Sequence, residues 1–439
     1  MKVPLIEGKT KKILAANTPG RVIIESKDDL TAGDGAKHDI INGKAALSNR
    51  TTSNVFRLLK ACGLPVAFIN ELDETRFLAE WCNMFPYEVV VRREAHGSYL
   101  HRNPHIKRGR YFPKLILEYF AKTNGKKWYG QSIPMDDPYI DLSGNQVKFF
   151  MPHWTEEQKE ESNKTGFKGF LVGQKPFLEI SRLDFFLLTQ NSEETLTRMN
   201  IIAKMAFLAL EKAWQLTGRH LVDFKVEFGM NTQGMLQIAD VIDNDSWRVL
   251  DNGNYMDKQL YRDGYDLDTV SEKYRLVADL TANFSLPRQQ LILWRASKSD
   301  DLKPFAEALA IYGAQENCKV EIVTCSLHKE PIRAYEEIGK LIQEVPDSVV
   351  IAYAGRSNGA GPTLSAQITV PVITVPATWR EFPEDIWSSL RTPSETPVAT
   401  ILDPNNAVLS ALQILAMRNP RLYAWLRLRQ EEHLYNIAS

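Results

Sequence analysis

Between residues 291 and 402, short runs of β-branched and aliphatic residues alternate with segments of helical character. Strands that alternate with helices are typical of a parallel sheet, because a parallel connection needs a crossover long enough to hold a helix. We therefore predict an α/β, three-layer, doubly wound parallel sheet for residues 290–439. Ligands of such sheets bind beyond the carboxyl ends of the strands. The predicted strands are Leu291–Leu293, Val320–Val323, Val349–Ala352, Val370–Val375 and Val398–Leu402.

Upstream of Ser285–Arg288 the pattern is different, and we place the domain boundary there. β-rich runs and helical segments follow one another without regular alternation, which is typical of an α+β fold. The chain is thus expected to comprise an α+β domain over residues 1–264, a helix and linker over 265–289, and the α/β domain over 290–439. In the first part we predict strands at 21–25, 66–70, 87–91, 221–228 and 235–242, and helices at 44–61, 192–216 and 267–283.

Residues 119–154 contain Asn124-Gly125, Ser143-Gly144 and several prolines. These residue types favour turns and interrupt longer elements. We predict a long irregular surface segment here, whose length indicates a binding loop or an insertion.

The charges of the chain are balanced, since 53 Lys and Arg against 54 Asp and Glu give a net charge of -1. Proteins that bind nucleic acids or anionic membranes usually carry a basic excess, so we expect small-molecule substrates and neither of those partners. No apolar run reaches the roughly 18 residues that span a bilayer, and Met1–Pro4 does not open a signal peptide. We expect a cytoplasmic protein whose four cysteines are reduced thiols without metal-binding spacing, namely Cys62, Cys82, Cys318 and Cys325.

Three polar segments of the first domain are candidates for contact with an anionic ligand. Glu7–Lys12 places three lysines around a glycine and a threonine, and Thr31–Gly35 is a loop of small residues that lets backbone amides approach a ligand. Arg92–Ser98 begins with two guanidinium groups, which suit bidentate recognition of anions. Each segment alone could also be an ordinary solvated turn.

The pair of strands at 221–242 gives the strongest local signal. Asp223, Lys225 and Glu227 alternate along the first strand and therefore share one face of it, and the second strand leads to Asp240. Hard carboxylate oxygens bind Mg²⁺, which bridges nucleotide phosphates. The alternative is a salt-bridged surface hairpin, but so many acidic groups would repel one another without a cation.

In the second domain, polar segments follow three predicted strands. Ser297–Asp300 follows the first strand, where we expect a helix whose N-terminal amides hold a phosphate, although these residues also suit an ordinary helix cap. His328 follows the second strand and Gly355–Pro362 the third. Because such strand ends converge, they predict a binding site. His328 is our candidate for proton transfer, since imidazole titrates near neutrality.

Longer stretches of the chain resemble two known families. The segments that resemble the SAICAR synthetases, the ATP-dependent ligases of purine biosynthesis, are Leu5–Lys12, Ser26–Phe56, Glu88–Arg102, Leu221–Gly229 and Ala239–Arg248. The segments that resemble the animal type of AIR carboxylase are Ser297–Asp300, Ser326–Lys329, Ala354–Pro362 and Trp387–Arg391. The two halves in this order resemble the bifunctional animal enzymes that combine both activities.

This resemblance implies that the first domain joins carboxyaminoimidazole ribotide (CAIR) to L-aspartate with ATP and Mg²⁺ and forms SAICAR through an acyl phosphate. Asp223 and Lys225 would be catalytic, and Asp240 and Glu227 would hold the metal ion. The residues at ATP would be Lys9 and Lys11 at the phosphates and Glu88 and Val90 at the adenine. The substrate side would be formed by Thr31, Gly33, Asp34, Arg92, Ser98, Arg102 and Arg248.

For the second domain the resemblance implies carboxylation of aminoimidazole ribotide (AIR) to CAIR without ATP or metal, with His328 as the proton carrier. It also implies assembly into a homo-octamer through this domain. The residues around the nucleotide would be Ser297, Ser299, Asp300, Lys329 and Arg356.

Three residues near this second site depart from the family pattern. Ala296 and Glu330 stand where the family has glycine, and Leu327 stands where it has alanine. We predict that they narrow the pocket and add a negative charge to it, so that carboxylase activity is weak or absent. Two alternative functions follow, namely a ligase whose second domain is only an oligomerisation scaffold, and a paralogue that ligates an amino acid to another carboxylate.

Overall fold

A computed structural model of the chain describes residues 4–32, 37–123, 125–152, 160, 175–355 and 358–436. The predicted site residues Gly33, Asp34 and Arg356 lie outside these ranges. The chain divides into two compact units, of which the first comprises residues 1–285 together with 427–439, and the second comprises 286–426. The C-terminal end of the chain thus belongs to the first unit, whereas the sequence analysis placed all of residues 290–439 in the second domain.

The first unit is built from antiparallel strands and a few helices, as expected for an α+β fold. Its strands are β1 Ile6–Glu7, β2 Lys11–Ala15, β3 Arg21–Ser26, β4 Asp29–Ala32, β5 Lys37–Ile40, β6 Phe68–Glu71, β7 Arg76–Glu80, β8 Cys82–Glu94, β9 Tyr111–Ala121, β10 Lys127–Trp128, β11 Gln131–Ser132, β12 Tyr139–Asp141, β13 Gln146–Phe150, β14 Leu178–Ser181, β15 His220–Asn231, β16 Leu236–Ala239, β17 Trp247–Asp251 and β18 Asn254–Tyr255. Its helices are α1 Lys44–Ala61, α2 Ser98–Arg102, α3 Arg182–Thr189, α4 Glu193–Leu216, α5 Gln259–Arg262 and α6 Leu267–Thr281.

Two larger sheets organise the described part of this unit. One has five strands in the order β1-β2-β3-β7-β6, and the other has nine, in the order β14-β13-β12-β9-β8-β15-β17-β18 with β16 also paired to β15. Helix α4 begins after Ser192, whose hydroxyl accepts a hydrogen bond from the Thr195 amide. Its apolar stripe, which includes the fully buried Trp214, packs in the core, so the prediction of a core helix at 192–216 is confirmed.

The prediction of a long irregular segment at 119–154 is wrong for most of its length. Tyr119 and Ile140 are register partners of β9 and β12, and Gln146–Phe150 continues the same sheet. Val147 and Phe149 are fully buried, because alternate side chains of this short strand face the core. Turn residues divide the segment into strands too short to recognise from their composition. Residues 153 and 154 lie outside the described ranges.

The second unit is a doubly wound parallel sheet, as predicted. Its five strands in the described residues have the order β20-β19-β21-β22-β23, and all of the pairs are parallel. They are β19 Gln289–Arg295, β20 Lys319–Thr324, β21 Asp347–Ala354, β22 Val372–Pro376 and β23 Ala399–Thr400. The helices are α7 Lys303–Ile311, α8 Ala314–Asn317, α9 Pro331–Glu344, α10 Ala360–Ser365, α11 Trp387–Leu390 and α12 Pro404–Ala416, and α13 Pro420–Asn436 follows.

Alternate residues of β19 explain the three layers of this unit. Leu291 and Leu293 belong to a core cluster with α7 and α12, whereas Ile292 and Trp294 belong to a cluster with α9 and α10. Both faces of the sheet are therefore covered by helices. All four cysteines of the chain are free thiols. In the described ranges, no helix is both long and apolar enough to cross a membrane.

Candidate active sites

The first candidate site is a polar cavity of about 340 Å³ in the first unit. The antiparallel register of β8 and β15 pairs Arg92 with Asp223 and Glu88 with Glu227, so alternate side chains of both strands point into the same space. Twelve of the predicted site residues line this cavity: Lys9, Lys11, Thr31, Glu88, Val90, Arg92, Ser98, Asp223, Lys225, Glu227, Asp240 and Arg248. Arg102 does not line it, since it is buried and paired with Glu118.

One end of the cavity is a buried cluster of guanidinium and carboxylate groups. Arg92 donates from Nε to Glu118 (2.6 Å) and from Nη1 to Asp223 (2.7 Å). Arg102 also pairs with Glu118, and Arg248 donates to both oxygens of Asp223. Three guanidinium groups against two carboxylates leave this cluster with one excess positive charge. The cluster is therefore suited to bind an anionic group.

The backbone at Gly97 supports this end of the cavity. Gly97 has φ 54° and ψ -131°, a conformation that other residues rarely adopt. The guanidinium of Arg248 lies so close to the Gly97 α-carbon that a Cβ atom would collide with it. The next residue, Ser98, accepts a hydrogen bond from Arg92 Nη2 (3.0 Å).

Glu94, three residues before Gly97, is the centre of a smaller charged network. Glu94 accepts hydrogen bonds from His220 (2.8 Å) and His96 (3.3 Å), and His96 also contacts the Tyr255 hydroxyl (2.7 Å). Burial alone would raise the pKa of Glu94, but these hydrogen bonds outweigh it and lower the pKa to about 2. The hydrogen bond with Glu94 raises the pKa of His220.

These two pKa shifts predict a stability contribution that depends on pH. Because the pKa of Glu94 is lowered, its contribution is present above its ordinary pKa of 4.5 and is lost toward pH 2. Because the pKa of His220 is raised, its contribution is present below 6.5 and is lost as the pH rises through the raised value. We expect Glu94→Gln to lower the melting temperature more at about pH 5.5 than at about pH 8.5. An equal loss in calorimetry at both pH values would contradict this.

At the other end of the cavity, each of three carboxylates pairs with a lysine. Lys11 pairs with Asp240, Lys122 contacts Glu227 at 2.5 Å, and Lys225 contacts Glu88 at 2.9 Å. Asp240 has φ 67°, which is unusual for a residue other than glycine and is often found at functional sites. Within the described ranges, no group of three or more acidic, histidine or cysteine side chains could hold a metal ion by itself.

Two cations of the cavity wall were not among the predicted site residues. Lys258 directly precedes α5 and Arg262 is the last residue of α5, and both line the cavity. Lys258 donates to Asp245 (3.2 Å), whose other oxygen accepts a hydrogen bond from Tyr274 (2.9 Å). Both residues follow Arg248 closely in the sequence, which indicated a place near the site. The sequence did not show that their side chains face the cavity.

A second cavity of about 440 Å³ adjoins the first and is mainly apolar. Its walls come from the five-stranded sheet and from the start of β8, with Lys11, Glu227 and Asp240 shared between both cavities. Glu88 and Val90 line the polar cavity and are not part of this apolar wall. The apolar residues that line it include Ile13, Val22, Ile24, Phe77 and Met84.

The second unit has its own polar cavity, of about 990 Å³, beyond the carboxyl ends of β19, β20 and β21. It is lined by the predicted residues Ser297, Ser299, Asp300, His328 and Lys329. The expectation that Ser297–Asp300 opens a helix is wrong, because α7 begins only at Lys303. The Asp300 carboxylate accepts a hydrogen bond from the Ser297 amide (2.8 Å) and closes a turn before that helix.

Of the three residues near His328 that depart from the family pattern, only two line the cavity. Ala296 lines the cavity. Leu327, however, is 7% exposed and packs in the apolar core with Trp294, so its side chain does not narrow the cavity. Glu330 lines the cavity and is neutralised by Arg333 (2.8 Å). The expectation that Leu327 narrows the pocket is therefore wrong, whereas the carboxylate of Glu330 does face the cavity.

Comparison with known proteins shows which families these units belong to. The SAICAR synthetase model matches residues 4–129 and 178–279, and the AIR carboxylase model matches residues 291–434. The chain belongs to the SAICAR synthetase family. Its second domain belongs to the AIR carboxylase family, so the chain is a bifunctional enzyme of purine biosynthesis, and the two alternative functions are not favoured.

Relatives share this two-domain arrangement. The probable multifunctional protein ADE2 of Caenorhabditis elegans is 35% identical over 98% of this chain and 95% of its own length. The human bifunctional AIR carboxylase/SAICAR synthetase is 34% identical over 96% of this chain and 92% of its own length. Among solved structures, a type-2 SAICAR synthetase in complex with ADP is 26% identical, with a TM-score of 0.48 over 64% of this chain and 99% of that one.

Proposed function

We propose that the first unit ligates L-aspartate to CAIR at the expense of ATP and forms SAICAR. The observation that supports this most directly is the junction of an apolar and a polar cavity at Lys11, Glu227 and Asp240. A nucleoside triphosphate has an apolar base and a polyanionic tail, so it matches a site that changes character at such a junction. A relative in this family has been solved with ADP.

The adenine of ATP would occupy the apolar cavity, between the side chains of Ile13, Val22 and Phe77. This assignment replaces Glu88 and Val90, which line the polar cavity. The phosphates would lie at the junction, where Lys9, Lys11 and Lys122 supply positive charge.

Mg²⁺ fits the carboxylates at the junction. This ion usually retains water and substrate phosphates in its coordination sphere, so it needs only one or two protein carboxylates, here Glu227 and Asp240. When bound, it would neutralise charge on the transferred phosphoryl group. Both carboxylates now pair with lysines, and those lysines would turn to the phosphates when the metal takes their place.

The remaining cavity residues would bind and orient the two other substrates. A carboxylate resists attack by an amine, so the carboxylate of CAIR would first accept the γ-phosphoryl group, and the aspartate amine would then displace phosphate from the acyl phosphate. Arg92 and Arg248 belong to the cluster whose excess positive charge would bind the nucleotide anion, and the Ser98 hydroxyl, which accepts a hydrogen bond from Arg92, could donate one to the substrate. Lys258 and Arg262 are suited to the carboxylates of aspartate.

This proposal is tested by the formation of ADP from ATP in the presence of Mg²⁺. We expect continuous turnover of ATP to ADP only when both CAIR and aspartate are present, with SAICAR as the product by mass spectrometry; CAIR alone should give at most a stoichiometric amount of ADP from the first step. ADP formation that does not depend on CAIR, or that proceeds equally with another carboxylate, would overturn the assignment.

For the second unit we propose carboxylation of AIR to CAIR at the cavity of His328. The imidazole would move the proton of the ring carbon, and Ser297, Ser299 and Lys329 would hold the phosphate. Arg333 neutralises Glu330, so the repulsion of a phosphate by this carboxylate is weakened.

The buried position of Leu327 leads to a prediction about carboxylation. Because Leu327 does not line the cavity, the variant Leu327→Ala should carboxylate AIR in bicarbonate no faster than the native chain does. The loss of this buried side chain should lower the free energy of unfolding of the unit by about 2–5 kcal/mol. Ala296→Gly, which acts on the cavity wall, is the matched control. A gain of turnover in Leu327→Ala would restore the closed-pocket prediction.

We further propose a homo-octamer assembled through the second unit, in the cytoplasm. Helix α12 does not supply the apolar surface for this assembly, because Val408, Leu412 and Leu415 pack in the core of the unit itself. The exposed apolar side chains of the unit include Ile311, Ile322, Ile332, Trp387, Leu390 and Met417. We expect light scattering at micromolar concentration to give eight times the mass of one chain, and a monomer would contradict this.

The free cysteines fit the reducing compartment that we propose for the protein, the cytoplasm.

A further inference from the structure

The C-terminal helix α13 ends within the first unit, where it buries an acidic side chain. Glu431 is 2% exposed, and its carboxylate accepts hydrogen bonds from Arg93 Nη2 (2.7 Å), Arg427 Nε (3.0 Å) and the Leu115 amide (2.8 Å). Arg93 is fully buried as well and also pairs with Glu211 (2.7 Å). The guanidinium groups of Arg93 and Arg427 balance the carboxylates of Glu211 and Glu431, so the cluster is neutral. Removal of one charge from such a cluster leaves a buried group uncompensated.

This cluster lies directly behind the anion-binding end of the polar cavity. Arg93 follows Arg92 in β8, where the register with β9 shifts. The two arginines have different partners, because Arg93 pairs with Glu211 of α4, whereas Arg92 pairs with Glu118 and Asp223. Leu115 precedes Ile116, the register partner of Arg92 in β9. Glu431 therefore joins β8 and β9 from one side of the sheet, whereas Arg92 and Glu118 join the same two strands on the other side.

We propose that Glu431 is a positioning residue for the ligase reaction, which holds β8 and β9 so that Arg92 faces the nucleotide substrate. The residue acts through Arg93 and the Leu115 amide and does not itself touch substrate. The ligase site is then completed by a segment that follows the entire second domain in the chain. This inference rests on the proposed ligase function.

The test compares Glu431→Gln with Glu432→Gln in the full-length chain. Both substitutions remove one carboxylate from adjacent positions of α13, but Glu432 is exposed. For Glu431→Gln we expect the KM for CAIR to rise roughly 10-fold, with the KM for ATP and kcat within about twofold of the native values. For Glu432→Gln we expect all three constants to be unchanged.

A second readout does not depend on activity. Hydrogen exchange of the Leu115 amide should become faster in Glu431→Ala, which removes the acceptor, and remain native-like in Glu432→Gln. Faster exchange with an unchanged KM for CAIR would overturn the positioning role. An equal loss in kcat and in both KM values would also overturn it, since that would show a general structural role.

The design separates this inference from the proposed function. If the native chain shows no ligation, the proposed function fails whatever the exchange experiment gives. If Glu431→Gln does not fold, Glu431→Asp keeps the charge and withdraws the carboxylate by one methylene group. A rise of the KM for CAIR in that variant supports the proposal, and an unchanged KM overturns it.

Discussion

Asp240→Asn is expected to reduce ligase turnover by roughly 10²-fold or more. The substitution removes one of the two carboxylates proposed to hold Mg²⁺ and leaves Lys11 without its ion-pair partner. Asparagine is the suitable replacement, because Asp240 has φ 67° and asparagine tolerates this left-handed conformation. The fold should therefore be retained, which calorimetry can verify, while kcat falls.

Titration with Mg²⁺ separates this effect from a general loss of activity. In Asp240→Asn the concentration of Mg²⁺ that gives half-maximal turnover should rise, because a carboxylate ligand has been lost. Asp268→Asn is the matched control, since Asp268 is exposed in the first turn of α6 and does not line the cavity. Full turnover of Asp240→Asn at the native Mg²⁺ requirement would show that Asp240 is not part of the metal site.

The sequence predicts well those parts of the site that depend on short-range geometry. Asp223, Lys225 and Glu227 alternate along one strand, so their common face follows from the period of two in any strand. The strand ends of the second unit converge because parallel strands share a direction. Both patterns can be recognised without knowledge of how distant segments meet.

Other parts depend on contacts between residues that are far apart in sequence, which no local pattern contains. The apolar cavity needs β2, β3 and β7 of one sheet to face the start of β8. Lys122 became a site residue only through its contact with Glu227, 105 positions away. Similarly, the hydrogen bond from Leu115 to Glu431 spans 316 positions. Leu327 is adjacent to His328 in the sequence, but its side chain packs in the core while His328 lines the cavity. Adjacency in sequence therefore does not show which side chains face a site.

Gly97→Ala should raise the KM for CAIR by roughly 10²-fold, since a displacement of about 1 Å in a positioning group can cost that much. The added methyl group would collide with the guanidinium of Arg248 and displace it from Asp223. Gly109→Ala is the matched control, because Gly109 also has a positive φ, of 79°, but no atom lies within 4 Å of a Cβ placed there. Backbone strain should thus affect the stability of both variants, whereas only Gly97→Ala should weaken substrate binding.

A double-mutant cycle then shows whether the effect of Gly97→Ala passes through Arg248. Arg248→Ala alone should raise the KM for CAIR, because it removes the excess positive charge of the cluster. Once Arg248 is absent, Gly97→Ala should add little, and the two effects should be strongly non-additive. Additive effects would mean that Gly97 acts independently of Arg248, for example through the neighbouring Ser98. In that case the closeness of the guanidinium to the Gly97 backbone would have no role in binding.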